Sequence, residues 1–386
     1  MLKILIIDDD PIVRATLKRT LQNQGYETTV ASNGQEGIIQ AKTLHPALII
    51  CDWVMSEIDG LEVCRQVKRD PDLATTFFIL LTAKGAAPGE EGERVQGLDA
   101  GADEFVSKPI EMNELKARVR AGLRLHQLSQ DLKNKQLALE ESNRNLEAEL
   151  AEAADYVRSL LPSPLVGAVT TEALFVPSAQ LGGDCFDYYW IDHDHLVIYL
   201  LDVSGHGVGS ALLSMSVLNV LRSQSLPNTN FCHPSEVLKA LNHTFQMSSH
   251  GNKYFTIWYG VYHRSQQRLT YANAGHPPGV LLNKDATDIK QLSSLDLPIG
   301  FIPNINFEMV TLEIPANTTL YLFSDGAYEV MQPNGQIWDF NGFFDLLINC
   351  SHKNNCNLQE ILRLIKNSNA NATFDDDLSL IKITFN

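Results

Sequence analysis

Gly182-Gly183-Asp184-Cys185-Phe186-Asp187, then Leu196-Val197-Ile198-Tyr199-Leu200-Leu201, then Asp202-Val203-Ser204-Gly205-His206-Gly207: here two glycine-flanked carboxylates bracket an apolar run. The run has the length and the β-branched and aromatic content of a buried strand. A strand ending in Asp and a small-residue turn leaves a carboxylate at a sheet edge, and glycines let backbone approach whatever it holds. The pattern recurs downstream. Tyr321-Leu322-Phe323-Ser324-Asp325-Gly326 is a strand followed by Asp-Gly, and Phe374-Asp375-Asp376-Asp377-Leu378-Ser379-Leu380-Ile381 is an acidic turn opening a last strand. Asp and Gly dominate turns in general, so any one of these sites alone reads as an ordinary turn. Four together read as one divalent-metal centre. Clustered carboxylates repel unless a cation or proton neutralises them, and all-oxygen ligation suits Mg²⁺ or Mn²⁺.

As an ordered set, GGDCFD, DVSGHG, NAGHPP, SDGAYE and DDLS, over roughly residues 160–386, resemble the metal-dependent protein serine/threonine phosphatases. The resemblance is closest to their bacterial regulatory branch, typified by the stage II sporulation protein E phosphatase. It implies an α/β/β/α sandwich over residues 162–386, with metals at one sheet edge. It makes Asp184, Asp202, Asp325 and Asp376 the catalytic ligands of two Mn²⁺ or Mg²⁺ ions, with Asp202 bridging them and the Val203 carbonyl helping to hold one. Asp376 and Asp377 could exchange roles; the usual pairing of the motif favours Asp376. Such metals activate water for in-line attack on phosphorus, so no covalent enzyme intermediate is needed. Asp187 is a supporting carboxylate, and Ser204, with no base in evidence, a turn residue. Larger relatives place a His two residues after the bridging Asp, where this chain has Ser204; His206 is four residues on, and that role does not transfer. Their phosphate-binding Arg has no evident counterpart. His276, in Ala274-Gly275-His276-Pro277-Pro278, is either a substrate contact or a backbone-bonded imidazole in a rigid turn.

The first third alternates strand and helix. Strands are expected at 3–7, 27–31, 47–51, 77–81 and 103–106, and helices at 11–23, 34–44, 60–69, 91–99 and from 111 onward. Five βα units imply a doubly wound parallel sheet, with ligands beyond the carboxyl ends of its strands. Asp8, Asp9, Asp52, Thr82 and Lys108 stand at those ends. Three carboxylates there would hold a divalent cation; a hydroxyl and an ammonium beside them suit a phosphoryl group on a carboxylate. Residues 1–120 resemble the receiver domain of two-component response regulators. That makes Asp52 the phosphoacceptor, Asp8, Asp9, Asp52 and the Val54 carbonyl the Mg²⁺ ligands, and Thr82, Lys108 and Phe105 the switch residues. Ser56 stands where the family usually has Pro.

Between them, residues 121–161 read as a coiled-coil helical linker. Leu125, Leu132, Leu139, Leu146, Ala153 and Leu160 recur every seven residues, and Leu150 and Val157 share the companion seam with Ser129, Gln136 and Asn143. A 3.5-residue apolar repeat with charged flanks indicates a two-stranded pairing, hence a homodimer, and a seam Asn fixes its register. The alternative is one amphipathic helix lying along a domain. Pro164 stops the helix.

In the last segment strands are expected at 170–176, 186–191, 196–202, 254–263, 268–273, 278–282, 307–313, 319–323 and 378–385, and helices at 207–222, 233–247, 341–350 and 357–367. The polar stretch 223–253 is the candidate regulatory segment.

Composition sets the bounds. The 386 residues, 44% hydrophobic, suggest two or three domains. Lys+Arg 30 against Asp+Glu 46 gives a net charge of −16, which argues against nucleic acid as the main partner. No apolar run reaches the roughly 18 residues of a membrane span, and Met1-Leu2-Lys3-Ile4-Leu5-Ile6-Ile7-Asp8 reads as a first strand rather than a signal peptide. The 6 Cys, without CxxC spacing, are expected as reduced thiols in a cytoplasmic protein. The expected function is a response regulator, phosphorylated at Asp52 by a sensor histidine kinase, that controls a phosphatase. By resemblance the substrate is a phosphoserine protein of the anti-sigma-factor antagonist type, in a partner-switching pathway. The rival is a phospho-gated scaffold that binds a partner without catalysis; a third reading is hydrolysis of a small phosphoester. The kinase, the substrate, the sign of control and Mg²⁺ versus Mn²⁺ stay open.

Overall fold

The structure, a computed structural model, describes residues 2–83, 90–249, 251–283, 289–294, 296–333, 335–352, 357–370 and 374–386. The chain divides into two compact units, Met1–Asn145 and Leu146–Asn386.

The first unit runs β1 (Lys3–Ile7), α1 (Pro11–Gln22), β2 (Glu27–Ala31), α2 (Gly34–Leu44), β3 (Leu48–Asp52), α3 (Gly60–Arg69), β4 (Phe77–Ala83), α4 (Glu90–Asp99), β5 (Glu104–Lys108) and the first turns of α5 (Met112–Ser159). The strands form one parallel sheet in the order β2-β1-β3-β4-β5. Successive residues of β1 point to opposite faces: Leu5 and Ile7 pack with Val63 and Phe78, Ile4 and Ile6 with Leu17, Leu115 and Val119. Both faces are covered, so the strands are continuous apolar runs. Asp10 caps α1, accepting from the Ile12 amide at 2.7 Å.

The second unit contains β6 (Val169–Val176), β7 (Cys185–Trp190), β8 (His195–Val203), α6 (Val208–Arg222), α7 (Pro234–Thr244), β9 (Phe255–His263) and β10 (Arg268–Ala274). It continues with β11 (Gly279–Leu282), β12 (Ile289–Leu292), β13 (Val310–Glu313), β14 (Thr318–Phe323), β15 (Val330–Met331), β16 (Ile337–Trp338), α8 (Phe340–Ser351), α9 (Leu358–Ser368) and β17 (Leu378–Phe385). Two five-stranded antiparallel sheets, β13-β10-β9-β8-β7 and β12-β11-β14-β17-β6, make the centre. β8 shows why they pack. Leu196, Ile198 and Leu200 meet Leu320, Leu322 and Ile381 of the other sheet, whereas Val197, Tyr199 and Leu201 pack under α6 and α7 against Leu218 and Leu238. Each such fully buried side chain contributes roughly 1.5–3 kcal/mol. On the far side, α8 and α9 cover the second sheet through Phe343, Leu347, Ile361 and Ile365. The layers are therefore α/β/β/α.

Most element ends fall within a few residues of their expected places. The strand expected at 307–313 begins only at Val310, because the Glu308 amide donates to Asp296 Oδ2 at 2.8 Å instead of joining the sheet. β12, β15 and β16 were not anticipated; at two to four residues they carry no readable period. Cys51, Cys64, Cys185 and Cys232 are free thiols, while Cys350 is disulfide-bonded, against the expectation of reduced thiols throughout.

The linker helix departs from a uniform seam. Leu115, Val119 and Leu123 belong to the first unit's core, where His126 Nδ1 also lies 2.7 Å from the Thr75 carbonyl. Leu125, Leu132, Leu139 and Leu146 are exposed, Leu132 at 69%. At the far end Leu150, Ala154 and Val157 pack against Leu181 and Ala211 of the second unit. The seven-residue repeat is thus open to a partner only from about 125 to 146, because the later seam positions Leu150, Val157 and Leu160 serve the second unit's own core.

Candidate functional site

In the first unit, Asp8 and Asp9 follow β1 and Asp52 ends β3. Their carboxylates offer ligand atoms within 4.8 Å of one another. Asp8 is buried outright, Asp52 is 7% exposed and Asp9 open to solvent. Lys108 Nζ, at the end of β5, bridges Asp52 Oδ2 at 2.9 Å and Asp8 Oδ2 at 3.1 Å. Burial raises the Asp52 carboxyl, and the Lys108 ammonium opposes it. Thr82 sits opposite Ser107 in the β4–β5 register, one strand over from Asp52. Phe105 is buried, with its ring against Gly97, and Trp53 is 6.5 Å away between centroids. The Val54 side chain is exposed on the loop after Asp52. Asp8, Asp9, Asp52, Thr82 and Lys108 stand at or just beyond the carboxyl ends of their strands, whereas Phe105 lies near the start of β5.

In the second unit, the acids from four distant segments act on one another. Asp184 is 2% exposed, and neither of its carboxylate oxygens has a hydrogen bond. Burial, then Asp202, pushes its carboxyl well above the carboxylate range, against the nearby Ser324 and Ser379 hydroxyls. Burial and the neighbouring Asp325, Asp376 and Asp377 push Asp202 up to about 8. Asp325 rises to about 6 through burial, Asp376 and Glu329. Asp376 is raised by burial foremost, with the charge of His206 opposing. No three described carboxylates here draw within 4.8 Å of one another as the receiver trio does. Ligands of two ions some 3.5–4 Å apart need not converge that tightly. Buried, unpartnered carboxylate oxygens under mutual repulsion suit hard divalent cations.

Asp377 has a different occupation from Asp376. Its carboxylate accepts from the Ser178 amide at 2.8 Å, the Ser178 hydroxyl at 3.1 Å and the Gly183 amide at 2.5 Å. It pins the 178–183 loop, while Asp376 is exposed beside Asp202 and Asp325. The motif glycines are close approaches: a Cβ on Gly183 would stand 2.8 Å from the Val203 carbonyl, and one on Gly326 2.3 Å from the Asp377 carbonyl. Asp377→Ala should therefore cost about 3 kcal/mol in urea unfolding. Asp376→Ala should leave stability nearly unchanged and weaken Mn²⁺ binding in a calorimetric titration.

The other residues singled out have structural partners. Asp187 is buried and paired with Arg222, whose Nη2 also donates to the Leu160 carbonyl at 3.1 Å, tying the end of the linker to α6. Arg222→Met leaves that carboxylate unpaired. The expected loss is about 2 kcal/mol, below the roughly 3–5 of a fully enclosed pair because Arg222 is part-exposed, and Asp187→Leu in the same chain should restore most of it. Ser204 Oγ accepts from the Tyr254 amide at 3.2 Å, as a turn residue does. His276 is buried, its Nδ1 2.9 Å from Thr256 Oγ1 and its backbone held by Asn273 at 2.8 Å. Burial lowers it to about 3, so it is neutral and built into the turn. His206 is exposed. Lys253 escaped sequence reading, since it lies in no motif: its Nζ donates to Ser210 Oγ at 2.9 Å and the Ser204 carbonyl at 3.3 Å, clamping the turn after Asp202.

The profile of the stage II sporulation protein E (SpoIIE) family matches residues 192–386, just over half of the chain. The chain belongs to this family. Residues 4–120 match the response regulator receiver domain, so this SpoIIE-family chain joins a receiver to a phosphatase domain. It is 40% identical over 129 residues to response regulator MprA of Mycobacterium ulcerans, covering 33% of this chain and 53% of that protein. It is 36% identical over 138 residues to the alkaline phosphatase synthesis transcriptional regulatory protein PhoP of Bacillus subtilis, covering 35% and 55%. The chain spans about half the length of these curated relatives. Among solved structures, the SiaA-PP2C domain of Pseudomonas aeruginosa superposes with a TM-score of 0.55 at 17% identity, covering 64% of this chain and 99% of that one. At that identity the likeness establishes the fold. No helix among the described residues is long and apolar enough to cross a membrane.

Proposed function

We propose that this chain is a response regulator in which phosphorylation of Asp52 controls a metal-dependent protein serine/threonine phosphatase. One observation supports the reading: Asp184, Asp202, Asp325 and Asp376, from remote segments at strand ends of the two sheets, are near enough to act on one another's charge, and Asp184 keeps two buried oxygens without partners. Two Mn²⁺ or Mg²⁺ ions bound there would supply activated water and neutralise phosphoryl oxygens. The chain's own part is to hold the carboxylates: Asp377 fixes the Gly183 loop, and Lys253 and Ser210 fix the turn after Asp202. In the receiver, Asp8, Asp9, Asp52 and the Val54 carbonyl would hold Mg²⁺. Lys108, in contact with Asp52 Oδ2, would meet a phosphoryl group there, and Thr82 and Phe105 would sense it.

The phosphodonor is a sensor histidine kinase, and the substrate is a phosphoserine protein of the anti-sigma-factor antagonist type, the target class of the regulatory branch it resembles. The exposed leucines at 125, 132, 139 and 146 support a homodimer through the linker in a cytoplasmic protein, and Arg222 gives its end a grip on α6. The test is Mn²⁺-dependent phosphate release from a phosphoserine protein and from an aryl phosphate. Wild type should act on both and respond to a phosphoryl mimic at Asp52; activity on neither substrate contradicts the enzymatic reading, and activity on the small ester alone contradicts the protein substrate.

A further inference from the structure

A second cluster of metal-binding side chains lies at the other end of β8. His195 opens that strand, and His263 closes β9 directly opposite it in the antiparallel register. Their ring centroids are 4.5 Å apart, edge to face. Each imidazole turns Nδ1 toward a carboxylate, and His263 Nδ1 also accepts from the Gln266 amide at 3.3 Å. His195 Nδ1 is 2.8 Å from Asp192 Oδ2, and His263 Nδ1 is 3.1 Å from Asp194 Oδ2. The carboxylates are fixed in turn by backbone. Asp192 Oδ1 accepts from the Asp194 and His195 amides, each at 2.8 Å. Asp194 accepts from the Ser265 amide at 2.8 Å and its hydroxyl at 2.6 Å. Those bonds hold Asp192 down at about 2, led by the Asp194 amide, so it stays a carboxylate.

We propose that His195 and His263 form a metal site for a late first-row divalent cation such as Zn²⁺, Ni²⁺ or Cu²⁺, separate from the carboxylate centre. A metal-binding imidazole characteristically gives its other nitrogen to a carboxylate, which sets its tautomer and aim. Here His195 carries that arrangement, and His263 has its Nδ1 engaged by the Gln266 amide beside Asp194, so Nε2 is the nitrogen of each ring left for an ion. Tetrahedral ligation at about 2.0–2.1 Å places two nitrogens roughly 3.3 Å apart, within reach of rings 4.5 Å apart. The side chains are 27% and 25% exposed, so an ion can enter from solvent. His193, exposed in the same turn, does not form a three-ligand group with His195 and His263, so solvent would complete the coordination. Imidazole favours these ions over Mg²⁺, whereas the four-Asp centre has the opposite preference. Seven residues of strand, roughly 23 Å, separate His195 from Asp202, so the sites fill independently.

The test uses the full, untagged chain in excess Mg²⁺, titrated with Cu²⁺ and followed by calorimetry and electron paramagnetic resonance. One equivalent should bind with nitrogen hyperfine splitting. His195→Gln and His263→Gln should each abolish it, and Asp192→Asn should weaken it by at least about tenfold, with melting temperature and phosphatase activity retained. Unchanged Cu²⁺ binding in His195→Gln and His263→Gln, loss on His193→Gln alone, or a spectrum without nitrogen coupling would overturn the proposal.

Discussion

Asp202→Asn is expected to lower Mn²⁺-dependent turnover of a phosphoserine protein by at least about 10²–10³-fold, while raising the melting temperature of the metal-free chain. The two effects share a cause. Burial, with repulsion from Asp325, Asp376 and Asp377, holds the Asp202 carboxyl up at about 8. Without a cation the folded state must suppress or tolerate a charge the unfolded chain carries freely. A neutral amide of the same shape removes that burden. With cations the same carboxylate is what holds them, and metal stabilisation of transition-state charge is worth several kcal/mol, each 1.36 of which is tenfold in rate. Activity assays paired with melting curves in chelator check both halves. A variant that lost activity and stability together would point to a damaged fold instead.

The second large effect is on the acid limb of stability. His276 is buried and lowered to about 3, chiefly by burial, from an ordinary value of 6.5. Below pH 6.5 the unfolded chain takes up a proton at this ring that the native state refuses until about pH 3. The unfolded state binds more protons in that window, so stability falls as pH falls, by about 1.4 kcal/mol per pH unit from this group. The raised carboxyls of Asp184, Asp202 and Asp325 act with the opposite sign, since their native forms keep protons that the unfolded chain releases as pH rises. Comparing wild type with His276→Gln in chelator cancels them. The variant should start less stable at pH 7.5, having lost the Thr256 contact, but lose less between pH 6.5 and 4. Parallel curves would contradict the buried, neutral imidazole.

What was legible followed from period and punctuation. β1 lies within its expected bounds because its apolar run ends at Asp8, β2 because its Thr and Val residues are β-branched, and β17 because its mainly apolar residues follow an acidic turn. Three of the four carboxylates were legible through a nearby glycine, and the structure shows why at two of them: Gly183 and Gly326 admit neighbouring atoms where a Cβ would clash. What sequence left open depended on partners far along the chain. Asp376 and Asp377 are adjacent acids with no local difference; their division of labour comes from Ser178 and Gly183, nearly two hundred residues away. Lys253 and Arg222 belong to no motif and gain meaning only from Ser204, Asp187 and Leu160. The heptad was expected to be a coiled-coil seam along its whole length, but its later turns are claimed by Leu181 and Ala211, which no repeat can announce.

The proposed phosphatase requires the four remote aspartates to share a pair of metal ions. Diffraction at the manganese absorption edge, from crystals grown with Mn²⁺, tests it directly. Two anomalous peaks are expected flanking the Asp202 carboxylate, with Asp184, Asp325 and Asp376 around them. Manganese at Asp8, Asp9 and Asp52 alone, with none at Asp202, would contradict it.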